Sequence, residues 1–139
     1  MKLADINAIA CVLAGIKINK ISDRATREEI NKSYLSVRKA LRPFERDRDE
    51  LAEKFRADWK DEIAAVIAKK DGDRAALNQA QADLNAAIVK MLNEGESDVV
   101  FSPVKSEHLF APDLWGENVT LGDISETVAF LVKFGVAEE

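Results

Sequence analysis

The apolar positions of this chain first fall at helical spacing over Leu3, Ile6, Ile9, Ala10 and Leu13, with Gly15 where a left-handed cap would end a short helix. Ile16 to Ile21 reads as a connector. Ser22 or Asp23 is placed to cap the next helix, and Thr26 with Glu29 offers a capping box one turn later. Apolar positions then run Ile30, Tyr34, Val37, Leu41, Phe44, skip to charged Arg48, and resume at Leu51 and Phe55. This alternation of four and three is the repeat of a helix that packs along its length against another helix. After Phe55 the stripe takes two consecutive steps of four, to Trp59 and Ile63, before Val66 and Ile67, which predicts local unwinding and straighter contact at the far end. Pro43 lies inside the pattern without disturbing its phase, so a kink over Lys39 to Pro43 is expected, with a break into two helices as the alternative.

Asp71-Gly72-Asp73 reads as a tight turn, and Leu77, Ala80, Leu84, Ala87, Ile88 and Met91 form a second, alanine-rich stripe that ends at Gly95. Two stripes joined by so short a turn predict an antiparallel hairpin. Beyond it, Val99, Val100, Phe101 and Val104 read as extended chain broken by Pro103, and Ser106 to Leu114 as short turns. Thr120 with Asp123 can cap a last helix carrying Leu121, Ile124, Val128 and Leu131, with Gly135 ending it and Val136 folding back. A strand near Val99 needs a partner, and Ile16 to Ile21 is the evident one.

The expected fold is therefore mainly α: a long antiparallel, coiled-coil-like helical hairpin with short N- and C-terminal helices and at most a small two-stranded β element. It forms one domain over residues 1–139, with helix and connector at 1–21, the hairpin at 22–95, and the extended segment and last helix at 96–139.

Composition adds limits. With 47% apolar and 32% charged residues, the chain is too apolar for disorder and too charged for a membrane protein. A signal peptide is not expected at Ala8 to Ile16, since Asp5 occupies the position of a basic flank, and a cytoplasmic location follows. Cys11, the single cysteine, lies between Ala10 and Val12 and reads as an inert core thiol. The net charge of −5 is unevenly laid out: residues 1–95 hold 18 basic and 16 acidic groups, whereas residues 96–139 hold 2 and 9. Residues 17–42 hold 8 basic and 3 acidic groups. Within them Arg24, Arg27, Lys32, Arg38, Lys39 and Arg42 form a candidate basic patch that could follow a phosphate backbone, although no base-reading motif accompanies it. The plainer reading pairs this basic stretch with the acidic tail.

Catalytic and metal-binding signatures are sparse. His108, the sole histidine, sits in a turn without a nucleophile arranged around it in sequence. The charge run from Glu45 to Glu62 suits ion pairs such as Arg46 with Glu50 and Glu50 with Lys54 on a wet helix face. Asp71-Gly72-Asp73 lacks the later ligands of a calcium loop. No catalytic, cofactor-binding or metal-binding residue is assigned, and no cofactor is expected. Phe130 and Phe134 on a second side of the last helix, with Trp115 and Phe110, are the candidate interface.

The segment Ala40-Leu41-Arg42-Pro43-Phe44-Glu45-Arg46-Asp47-Arg48-Asp49-Glu50-Leu51-Ala52-Glu53-Lys54-Phe55, followed by a return helix, an extended segment and a Leu-x-x-Asp-Ile helix, resembles small proteins of tailed bacteriophages and prophages. The chain departs from that pattern at Pro43 and in the longer loop from Pro112 to Val119. No activity is assigned to those proteins, so no functional residue carries over. The resemblance implies a mobile-element context and a role in assembly or protein contact. The expected function is a non-enzymatic helical interaction protein, an oligomer or partner-binding accessory factor. The alternative is a regulator or inhibitor that binds a host protein or nucleic acid through its charged faces.

Overall fold

In the computed structural model, which describes residues 1–68 and 74–139, the long helix is the axis on which everything else is arranged. This helix, α2 (Arg24–Asp58), follows a short helix α1 (Leu3–Ala14) and precedes α3 (Lys60–Ile67), α4 (Arg74–Glu94) and α5 (Leu121–Lys133). The mainly α fold is as the periodicity predicts. The turn expected at Asp71-Gly72-Asp73 lies outside the described residues.

Asp23 caps α2 by accepting both the backbone N–H of Thr26 at 2.9 Å and its hydroxyl at 2.6 Å. These bonds draw Thr26 into the interior, so the capping box expected at Thr26 and Glu29 does not form. The helix runs through Pro43 unbroken, which rules out the two-helix alternative. The interruption comes instead at Trp59, with φ −114° and ψ 21°. It falls within the two consecutive steps of four, each of which turns the stripe by about 40° around the axis. The expectation there was local unwinding of the supercoil with straighter packing; the structure has a one-residue break between two helices. The ladder resumes at once, since Trp59 N–H donates to Phe55 C=O at 3.0 Å and Ile63 N–H to Trp59 C=O at 2.9 Å.

The stripe on α2 is covered by two helices in succession. Met91 lies beside Asp47 and Leu51, and Leu84 beside Phe55, so α4 returns antiparallel along the outer half of α2. Where α4 stops, α1 takes over: Leu3 lies beside Phe44 and Gly95, and Leu13 beside Ile30 and Tyr34. The two covering helices are joined end to end by Leu3 N–H donating to Gly95 C=O at 2.9 Å and Ser97 N–H to Met1 C=O at 3.0 Å, with an antiparallel bridge between Lys2 and Glu96.

From Ser97 the tail runs back beside α2, with Ser97 to Val100 next to Ser36, Ala40 and Pro43. A short strand β1 (Val104–Lys105) then pairs in parallel with β2 (Ala137–Glu138), Val104 opposite Ala137. The strand partner is thus the C-terminal segment and not the Ile16 to Ile21 connector. That connector curls into a single turn over Ile18–Lys20 and donates from Lys17 N–H to Leu114 C=O at 2.8 Å. The turns at Ser106–Leu109 and Pro112–Leu114 are as expected.

Helix α5 carries its full capping box, Thr120 and Asp123 each accepting from the other's backbone N–H. It ends where Gly135 adopts φ +79°, allowing Gly135 N–H to donate to Val132 C=O and Val136 N–H to Leu131 C=O. Val136 is thereby folded into the core. Gly15 differs from expectation: its φ is −80°, and α1 closes with tight bonds from Gly15 N–H to Val12 and Ile16 N–H to Leu13.

Candidate functional site

Burial divides α2 into two halves. Ile30, Val37, Leu41 and Phe44 are buried under α1 and the tail in one cluster with Ile6, Ile124 and Leu131. Past Phe44 the same stripe is only half-buried at Leu51, Phe55 and Trp59, and among the described residues of α3 and α4 only Leu77 is buried. Among the described residues, the outer half of α2 is partnered by the return helix α4, with α3 continuing beyond it. It projects as an arm whose apolar seam stays partly open to water.

Three adjoining grooves make that opening continuous. The first, at the joint of α1 and α4, shares Asp47 and Met91 with the second, and the second shares Leu51 and Lys54 with the third. Together they form a trough from Gly95 out to Trp59 and Ala80. Its floor is Phe44, Leu51, Phe55, Trp59, Leu84 and Met91. Its rim carries Asp47, Glu50 and Asp58 on α2 and Asp83 and Glu94 on α4, with Lys54 the one cation among the described residues. All six are exposed. Asp83 accepts from the Gln79 amide at 2.9 Å, and among the described residues no cation stands within ion-pair distance of these five carboxylates.

The basic patch is dispersed by its own helix. Arg24 pairs with Glu28 at 3.1 Å, Lys32 with Glu29 at 3.2 Å and Arg38 with Glu45 at 3.1 Å. Arg27 donates to the carbonyls of Ile21 at 2.7 Å and Ser22 at 3.1 Å, pinning the connector to the start of α2. Lys39 and Arg42 are exposed and have no such partner among the described residues. The expected pairing of this stretch with the acidic tail does not occur among the described residues, because glutamates on α2 itself are nearer. Nor do Arg46, Glu50 and Lys54 close their expected pairs; exposed pairs at this spacing gain too little to hold two long side chains together. Arg48 instead reaches Asp49 at 3.2 Å and lies 5.8 Å above the Phe44 ring.

Of the aromatic set, Phe130 and Phe134 meet edge to face with centroids 5.0 Å apart, half-buried against the core, and Lys133 stands over Phe134. Trp115 is tied to the Leu109 carbonyl at 2.7 Å, and Phe110 is exposed. The structure thus brings Phe130 and Phe134 together and anchors Trp115 to the turn at Leu109.

His108 lies 3.8 Å from Glu107. Among the described residues no three histidine, cysteine, aspartate or glutamate side chains are grouped to hold a metal ion, and no helix is long and apolar enough to cross a membrane. Cys11 is exposed, correcting its assignment to the core: α1 turns Ile9, Ala10 and Leu13 inward and leaves Cys11 on the outer face. The chain matches no protein-family model, no curated protein and no solved structure.

Proposed function

We propose that this protein is a non-enzymatic helical interaction protein whose projecting arm binds another protein, as an accessory or assembly factor. One observation carries the reading: the stripe that is buried at Ile30, Val37, Leu41 and Phe44 is only half-buried at Leu51, Phe55 and Trp59, on an arm where Leu77 alone is buried among the described residues of its return helix. An apolar seam of this length is stabilised by burial under a helix that brings its own apolar face, and apolar surface of this kind marks contact sites. A phage or prophage setting and a cytoplasmic location belong to the same proposal; the setting rests on the resemblance of the segment Ala40 to Phe55. Nucleic-acid binding is less favoured, because four of the six candidate cations are engaged within the fold.

Photocrosslinking tests the reading. A photoreactive residue in place of Leu84 on the arm should give a discrete protein adduct in the producing cell, one that disappears when Phe55→Glu is added and the circular dichroism is retained. The same probe at exposed Leu121 on the body should give none. Equal adducts from both positions, or none from the arm, would overturn it.

A further inference from the structure

We infer that the trough on the arm receives a basic amphipathic helix from a partner protein, an inference that rests on the arm being the contact surface. The apolar floor calls for a helix with one apolar stripe, as in other helix-in-groove contacts. The rim selects its charge: among the described residues Asp47, Glu50, Asp58, Asp83 and Glu94 stand against Lys54, five carboxylates to one ammonium. These carboxylates are exposed and free of cations among the described residues, so they stand ready to meet lysine or arginine flanking an incoming stripe.

The same charges argue against a second copy of this chain. Laying trough on trough would set two acidic rims against each other, and like charges across an interface are costly. The chain's own basic stretch cannot serve as the occupant either. Its apolar stripe at Ile30, Val37 and Leu41 is already buried in the body, so the segment has no free face to offer. The size of the occupant follows from α4: from Ala80 to Glu94 the trough extends about 21 Å at 1.5 Å per residue, which fits a helix of about four turns.

The test uses the full chain with Trp115→Phe, which leaves Trp59 in the trough floor as the fluorescent reporter. The probes are three synthetic peptides of about four helical turns: a leucine stripe flanked by lysine and arginine, the same stripe flanked by glutamate, and the basic composition with the stripe scrambled. The basic amphipathic peptide should shift Trp59 emission saturably, bind at least about tenfold tighter than its acidic twin, and weaken as salt is raised. Asp47→Lys with Glu50→Lys and Asp83→Lys, all exposed positions, leaves two carboxylates against four ammonium groups on the described rim, and should retain the circular dichroism and reverse the order of the two amphipathic peptides. Equal binding of basic and acidic peptides would overturn the inference, as would equal binding of the scrambled one. It is also overturned if no peptide binds, and a dimeric mass with Trp59 already shielded from iodide would then assign the trough to a second copy. Persistence of the Leu84 crosslink in that case would leave the arm a contact surface and remove only the basic helix.

Discussion

Leu3 and Gly95 hold the two covering helices end to end: the Leu3 N–H donates to the Gly95 carbonyl at 2.9 Å, and the Leu3 side chain lies against the face of Gly95 where a Cβ would project. Through this contact α1 and α4 act as one discontinuous cover along α2, and the trough begins at the joint. A Cβ at Gly95 would collide with Leu3 Cδ1 and stand 2.8 Å from the Met91 carbonyl.

Gly95→Ala should therefore destabilise the protein by about 1–3 kcal/mol, the usual cost of overfilling a close contact. The Leu3 side chain can turn away, but the Met91 carbonyl is backbone and cannot. Gly15→Ala is the control: its φ is ordinary and its nearest neighbour, the Val12 carbonyl, would be 3.4 Å from the new Cβ. It should be neutral or stabilise by up to about 1 kcal/mol through the unfolded chain. Urea midpoints of the two variants check this. Equal midpoints would mean that the joint is not tight.

The contrast between body and arm predicts unequal responses to truncation. Leu41 is 1% exposed, and Leu41→Ala should cost about 2–5 kcal/mol. Leu84 is half-buried in the open seam, and Leu84→Ala should cost about 1 kcal/mol, a fraction of full burial. Native-state hydrogen exchange should find α3 and α4 opening well below the free energy of global unfolding, while α1 and the first half of α2 open only with it. Uniform protection from Ile30 to Trp59 would contradict the division.

The parts legible in the sequence are those fixed by local rules. The Asp23 cap, the capping box of Thr120 with Asp123, and the turn from Gly135 to Val136 each depend on a few neighbouring residues, and each stands where its spacing places it. What escaped is set by distant partners. A stripe such as Leu51, Phe55 and Trp59 says which side of a helix is apolar but not how many helices cover it, so the trough could not be told from a sealed seam. The floor residues were in view; their half-burial was not. Cys11 was misplaced because Ala8 to Ile16 is apolar on nearly every side, leaving periodicity little to distinguish. Two-residue strands have no pattern of their own, so Ala137–Glu138 gave no sign that it would meet Val104–Lys105.

Exposure of Cys11 has a direct chemical consequence. A thiol on the outer face of α1 should react with one equivalent of an aromatic disulfide reagent in the folded protein, without denaturant. Because Cys11 stands outside the buried cluster, Cys11→Ser should leave the thermal midpoint nearly unchanged. Labelling that required unfolding would return the side chain to the interior and rotate α1 on its axis.

Asp23 gives the start of α2 a pH dependence whose sign can be worked out. Bonds from the Thr26 hydroxyl and then the Thr26 backbone N–H hold its carboxyl below the ordinary value of 3.8, outweighing a small opposing effect of burial, with His108 and Arg27 adding weaker pulls in the same direction. The charged form is favoured by folding, so the carboxylate's contribution is complete above the unfolded-state value and is lost as pH falls through the lower folded-state value. Asp23→Ala should lower the thermal midpoint by a few degrees near neutral pH, and the gap to the unsubstituted protein should narrow progressively once the medium is more acidic than the ordinary carboxylate range. Asp23→Asn keeps an acceptor for the Thr26 N–H and removes the titration, so it should retain part of the stability with a flatter acid profile. Parallel acid profiles for all three proteins would show that the Asp23 charge contributes nothing to the cap.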